Sequence, residues 1–295
     1  MEKVTCGIIG GGGYLGRQLA AFIEMRQIPI EVIAFSREKR GFATPGSNGR
    51  IEKIDVLLNL GSPNEVVARQ GGRFAEDALI SWGECFLMAV RQYSPARCVH
   101  VSTFHIFGSP QGLVNESLPL SAGNAYGDLH LKCLHYVEEA CLKEGVALTT
   151  VIPTNIYGTV SAELNPRNDL IINLALEKLL KREVLQLSSD GNGLRDFLWI
   201  EDVLDALCRF ILRLHGQSHE MFIVASEKTL SVRAVLNSLF HEFGKGAFDK
   251  WCLWGTKTDP VVPFTVLSGK LRALTGDWNP KTVAEAARIQ KMLVN

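Results

Sequence analysis

The chain has 295 residues, 46% of them hydrophobic and 21% charged, which excludes a disordered or fibrous polymer and provides for one large domain or two unequal lobes. Lysine plus arginine and aspartate plus glutamate both total 31, so the chain carries no electrostatic footprint for nucleic acid or an anionic membrane, and any phosphate site must come from local arrangement. The 7 cysteines (Cys6, Cys85, Cys98, Cys133, Cys141, Cys208, Cys252) include no C-x-x-C pair, no signal-peptide pattern precedes the first strand, and no apolar run approaches the roughly 18 residues of a membrane span. Reduced thiols in a cytoplasmic protein are expected.

In chain order, Val4, Ile8 and Ile9 form a short apolar strand that runs into Gly10, Gly13 and Gly16 at G-x-x-G-x-x-G spacing. Leu15, Leu19, Phe22 and Ile23 then recur at helical spacing. One glycine suits a tight turn, another a close approach to a pyrophosphate, and the third the packing of helix on strand, with the helix N-terminus aimed at the anion. Such turns also arise for geometric reasons alone, but the strand–turn–helix context is the one a dinucleotide site requires. Residues 30–35 read as a second strand ending at Ser36 and Arg37. An acid there would bind the adenine ribose of NAD and repel the 2′-phosphate of NADP. The chain instead has Ser36, Arg37, Lys39 and Arg40, which suit a phosphate, although a solvated basic loop would look the same. NADP(H) is favoured over NAD(H).

Residues 41–54 are turn-rich, and 55–60 read as a buried strand followed by a turn at 61–64. A long helix is expected over 74–93, then a strand at 98–101, a helix at 126–143, a strand at 146–152 and a helix at 169–181. The alternation predicts a doubly wound parallel α/β sheet without internal repeats. From Thr154 the texture changes to short elements: strands near 183–187, 197–200 and 221–225, and helices at 201–214, 268–274 and 281–293. These are expected to form a smaller lobe over the C-terminal edge of the sheet, where open α/β sheets bind ligands.

Thr103 and His105 leave the strand at 98–101 on that edge, while Tyr126 opens a helix with His130 one turn later on the same face. Tyr126 has the chemistry to give a proton to a carbonyl oxygen that receives hydride, with Thr103 as second hydrogen-bond donor. Read from the residues alone, a tyrosine at a helix start is more often a structural residue.

These stretches resemble an extended short-chain dehydrogenase/reductase of the NAD(P)-dependent nucleotide-sugar epimerase/dehydratase family. The likeness runs through G-G-G-G-Y-L-G, D-V-L-L-N-L-G, S-T-F-H-I-F-G, A-Y-G-D-L-H, I-P-T-N-I-Y-G, G-N-G-L-R-D-F-L-W-I-E-D-V and L-T-G-D-W-N-P-K, covering nearly the whole chain. The resemblance implies a Rossmann domain over 1–153 and about 197–225, with a substrate lobe over about 154–196 and 226–295. It implies cofactor contacts at Gly10, Gly13, Tyr14, Leu15, Gly16, Ser36, Arg37, Arg40, Leu60, Gly61, Tyr126, His130 and Pro153. Substrate contacts are implied at Thr103, His105, Asn155 and Arg195, the last two on a nucleotide diphosphate. The alternative for Arg195 is an ion pair with Asp196 or Asp202. Family members commonly pair through the helices at 74–93 and 126–143, so a homodimer is implied, although the exposed faces carry no decisive apolar stripe.

Two departures set expectations. The family pattern is Tyr-x-x-x-Lys, whereas here the last position is His130; Lys132 falls roughly 240° around the helix from Tyr126 and cannot replace it. An imidazole is mostly neutral near pH 7, so Tyr126 should hold its proton more firmly, favouring ketone reduction over alcohol oxidation. Sugar 4,6-dehydratases carry Thr-Asp-Glu where this chain has Thr103-Phe104-His105, which argues against dehydration. His105 is then a base beside a carbonyl, a hydrogen-bonding partner of a sugar hydroxyl, or a packed loop histidine. Ile152 also replaces an arginine usual in the family. His100 and His135 read as core or surface residues, and no set of side chains has metal-ligand spacing. The expected activity is NADPH-dependent reduction of a nucleotide-linked keto-sugar, such as a 4-keto-6-deoxyhexose. A nucleotide-sugar epimerase and a non-catalytic NADP(H)-binding module are the alternatives.

Overall fold

The computed structural model describes residues 3–38, 41–43, 53–164, 167, 169–213, 219–244 and 246–294. They form two compact units. The first comprises Met1–Ser109, Glu116–Pro153 and Leu204–Phe222; the second comprises Pro110–Asn115, Thr154–Val203 and Ile223–Asn295.

In the first unit β1 (Val4–Ile9) lies between β2 (Ile30–Glu38) and β4 (Val56–Asn59) and runs parallel to both. On the β4 side follow β5 (Arg97–Val101), β7 (Ala147–Pro153) and β11 (His219–Val224), completing a six-strand parallel sheet. Parallel neighbours need crossovers. These are supplied by α1 (Tyr14–Met25), by α2 (Glu65–Gln70) with α3 (Gly72–Tyr93), and by α4 (Ala125–Glu144). The expected doubly wound α/β architecture is the one observed. Because the chain leaves β1 toward β2 and later returns to β4 on the other side, the carboxyl ends of β1 and β4 flank the switch point at which such sheets bind ligands.

The core of this unit lies between the sheet and the α3–α4 pair. Ile9, Leu57, Cys98 and Leu148 from the strands pack with Trp82, Phe86 and Val90 of α3 and with Cys133, Val137 and Cys141 of α4. Each of the leucine, isoleucine, valine and phenylalanine side chains among them contributes about 1.5–3 kcal/mol on burial. At Gly83 a Cβ would stand 2.8 Å from the Tyr136 ring, so glycine there lets α3 and α4 approach closely.

The sequence pattern ends this strand at Ser36 and Arg37 and makes 41–54 turn-rich. The strand instead continues to Glu38 because β3 (Gly41–Ala43) returns antiparallel to it, Arg37 opposite Phe42. The backbone hydrogen bonds of a hairpin offset the weak strand propensity of the charged run. Lys39 and Arg40 lie outside the described residues, as do the side chains of Ser36 and Arg37 and all of 44–52.

In the second unit β8 (Asn155–Tyr157) runs parallel to β10 (Leu194–Trp199), which pairs antiparallel with β12 (Thr229–Ser231). β6 (Gly112–Val114) pairs with β14 (Phe264–Val266), and β9 (Leu185–Gln186) pairs with β13 (Cys252–Leu253). A helix that the sequence reading did not identify, α7 (Val232–Glu242), is started by Ser231, whose hydroxyl accepts the Ala234 N–H. Within β10 the Asp196 carboxylate is fully buried and accepts from Thr154 Oγ1 (2.6 Å), Ser226 N (2.9 Å), Ser226 Oγ (3.0 Å) and Lys228 N (3.1 Å). Among the described residues no helix is long and apolar enough to cross a membrane.

Candidate active site

Two turns meet at the switch point of the first unit. Gly10 has φ +81°, and a Cβ there would stand 2.8 Å from the Gly61 backbone nitrogen, so only glycine fits between the turn after β1 and the turn after β4. Gly13 N–H donates to Gly10 O at 2.9 Å. A Cβ at Gly16 would meet Gly11 O at 2.5 Å, so this glycine lets α1 sit on its own loop. The second turn is held by Gly61 N–H donating to Asn59 Oδ1 (3.2 Å) and by Trp82 Nε1–H donating to Gly61 O (2.9 Å).

Tyr14 and Leu15 open α1, which has no capping side chain and no acid in its first turn, while a Cβ at Gly12 would meet nothing within 4 Å. This open, uncapped helix N-terminus beside an all-glycine turn fits the pyrophosphate of a dinucleotide. Leu60 N–H donates to Ile9 O at 2.9 Å, and Pro153 ends β7 in a buried position.

Thr103, His105, Tyr126 and His130 are brought together in the same unit. Thr103 starts a short 3₁₀ turn over Phe104–Phe107, its Oγ1 accepting the His105 N–H at 3.4 Å. Gly127 admits that turn against α4, since a Cβ there would be 2.4 Å from His105 O. The His105 ring stands edge-on to Tyr126 with centroids 5.5 Å apart, and Tyr126 meets the His130 ring at 4.4 Å. Lys132 instead pairs with Asp128 at 2.9 Å on the exposed side of α4, as its place around the helix requires.

His130 is 4% exposed, with Nε2 3.3 Å from Ser62 Oγ and Nδ1 without a hydrogen-bond partner. Burial, reinforced by the charge of His105, pulls its pKa down to about 4. His130 is therefore neutral at pH 7 and has no charge with which to acidify the Tyr126 phenol. Below it His100 is wholly buried, its Nδ1 2.9 Å from Asn59 Nδ2, and burial together with His130 lowers its pKa to about 3. Because Asn59 Oδ1 faces the Gly61 N–H, its amide nitrogen donates to His100, whose proton then sits on Nε2.

Both histidines resist protonation when folded, whereas each titrates near 6.5 in the unfolded chain. The unfolded state thus binds more protons between those values, so stability is complete above about pH 6.5 and declines as the pH falls toward the folded values. From pH 6.5 to 5 the two sites together remove about 3 kcal/mol. Urea unfolding at those two pH values measures the loss, and equal stability at both would contradict neutral burial.

Sequence reasoning missed Asn59, Ser62, Trp82 and Asn124. Asn59 had one visible sign, a polar residue closing the otherwise apolar run 56–59.

In the second unit Asn155 Nδ2 donates to Asp196 O at 2.8 Å, which leaves one amide N–H for a ligand. Arg195 is exposed and donates through Nη1 to Leu194 O at 2.7 Å. The alternative ion pairs are pre-empted: Asp196 is taken up by the donors named above, and Asp202 accepts from Lys281 Nζ at 3.2 Å.

A profile of the NAD dependent epimerase/dehydratase family matches residues 6–225, from β1 through β11. The chain belongs to that family. Within it, the chain is 24% identical over 206 residues to "Uncharacterized UDP-glucose epimerase YtcB" of Bacillus subtilis, covering 68% of this chain and 63% of that one. It is 29% identical over 220 residues to a dTDP-6-deoxy-L-talose 4-dehydrogenase (NAD(P)(+)) of Kitasatospora kifunensis, covering 68% and 67%. The chain thus spans about two thirds of the length of these relatives. The fold is shared with RMD from Pseudomonas aeruginosa complexed with NADPH, at TM-score 0.76 and 18% identity over 98% of both chains.

Proposed function

We propose that this family member reduces the keto group of a nucleotide-linked sugar, a 4-keto-6-deoxyhexose, with NADP(H). The observation that carries the reading is the Thr103–Tyr126 pair beside a neutral, buried His130. Thr103 Oγ1 already accepts from the His105 N–H, so its own O–H remains to donate to a carbonyl oxygen. Tyr126 supplies the proton as the oxygen gains charge. A bound nicotinamide dinucleotide supplies the hydride. The glycine turn and α1 would hold its pyrophosphate, Leu60, Gly61 and Pro153 would contact it, and Ser36, Arg37 and Arg40 would bind the 2′-phosphate. His130, acting with the Ser62 hydroxyl, anchors the nicotinamide ribose, while Asn155 and Arg195 bind the substrate diphosphate. The 4-dehydrogenase relative, by its name an enzyme of a dTDP-6-deoxy sugar at C4, supports this substrate class.

An epimerase is the second reading, supported by the name of the Bacillus subtilis relative. Epimerisation by oxidation and re-reduction needs a readily formed Tyr126 phenolate, and a neutral His130 disfavours it. A binding module without turnover would have no use for Asn155 and Arg195. The exposed Phe74, Ile80 and Met88 on α3 support a homodimer, which sedimentation velocity reads directly.

The deciding experiment follows NADPH and NADH consumption against a panel of nucleotide-linked 4-keto-6-deoxy sugars. Turnover with NADPH preferred is expected. No net consumption, with deuterium entering the sugar from solvent, would establish the epimerase; NADPH binding without nucleotide-sugar affinity would establish the binding module. In an active enzyme, His130→Lys is expected to restore a charge beside Tyr126 and shift the pH profile of the oxidative direction to lower pH. An unchanged profile would reject this role for the histidine.

A further inference from the structure

The Asn124 side chain is held from two sides. Its Oδ1 accepts the Gly127 N–H at 2.8 Å as the N-cap of α4, and its Nδ2 lies 3.3 Å from His105 Nδ1. A backbone N–H can only donate, so the amide oxygen must face Gly127 and the amide nitrogen must face His105. That nitrogen also only donates. His105 Nδ1 therefore accepts, and the neutral ring carries its proton on Nε2. The ring is exposed and stands edge-on to Tyr126, and the residue is tied through its backbone N–H to Thr103 Oγ1.

We propose that Asn124 is a positioning residue that presents His105 to the substrate as an Nε2–H donor and withholds it as a base. The substrate-facing half rests on the keto-sugar reading; the tautomer does not. With its one lone pair engaged by Asn124, the neutral imidazole has none with which to take a proton from carbon. Hydrogens on the carbons beside the keto group are thereby protected from exchange, and the ring instead binds a substrate oxygen.

Asn124→Asp reverses the arrangement while keeping a good N-cap. One carboxylate oxygen still accepts from Gly127, and the other accepts a proton placed on His105 Nδ1, freeing the Nε2 lone pair. His105 Nε2 can then take a proton from the carbon beside the keto group: the C–H bond breaks, an N–H bond forms, the electron pair passes into the enolate, and reprotonation from D2O leaves deuterium on carbon.

Nitrogen-15 NMR of the histidines, with the His105 signals assigned by their loss in His105→Gln, reads the tautomer. A proton on Nε2 in the native protein that moves to Nδ1 in Asn124→Asp is expected. A proton on Nδ1 in the native protein overturns the proposal whatever the substrate. In D2O with a nucleotide-linked 4-keto-6-deoxy sugar and no reductant, Asn124→Asp is expected to exchange the adjacent hydrogens about tenfold or more above the native rate. Native protein that itself exchanges them faster than the enzyme-free sugar overturns the withheld-base role, and a tautomer that moves without any gain in exchange overturns the substrate-facing half alone. If the native tautomer is the expected one while the panel sugars are not reduced, Asn124's hold on the tautomer stands, and the reductase reading falls together with the substrate-facing half.

Discussion

Tyr126→Phe is expected to lower kcat for keto-sugar reduction by about 10²–10⁴-fold, the range for loss of a positioned proton donor. The substitution removes one hydroxyl and keeps the ring. The ring packs against the α3–α4 core and makes the edge-on contacts with His105 and His130, which phenylalanine retains, so the variant should fold and still bind NADPH. Loss of turnover with binding intact identifies a group that acts on the reacting oxygen. Turnover within a few-fold of native would remove Tyr126 from the chemistry and leave Thr103 without its proposed partner. The phenol matters all the more because the neutral His130 cannot supply the missing charge.

Asp196→Ala is expected to cost about 3–5 kcal/mol, because it strands several buried donors at about 1–3 kcal/mol each. Burial pushes the carboxyl upward, and Thr154, Ser226 and Lys228 pull it back. The Thr154 and Ser226 hydroxyls can turn to other acceptors, but the Ser226 and Lys228 backbone N–H groups cannot. Asp196→Asn should cost less, about 1–3 kcal/mol, since one acceptor survives while an amide N–H faces a donor. Thermal and urea unfolding rank the variants, and a loss under 1 kcal/mol for alanine would show that the donors find other partners. Asp196 follows Arg195 and offers its carbonyl to Asn155, so weakened nucleotide-diphosphate binding should accompany the loss of stability.

The parts legible in the sequence are those set by short-range pattern. The apolar run 4–9, the glycines after it and the periodic α1 announce a strand, turn and helix because each depends on neighbours within a few residues. Tyr126 and His130 meet because helical pitch stacks residues one turn apart. The β2–β3 hairpin escaped notice because its strand borrows stability from a partner that carries no strand signal of its own, and α7 because its start rests on a single serine cap.

The sequence by itself determined the doubly wound sheet, the glycine turn and the place of Tyr126 on its helix. Only the tertiary structure decided that burial holds His130 far below the usual histidine range, that Ser62 faces it, that Asn59 sets the His100 tautomer, and that Asn124 sets the His105 tautomer. The reason is physical: periodicity is a property of adjacent residues, whereas the proton a histidine carries is set by burial and by partners that come from other strands and turns.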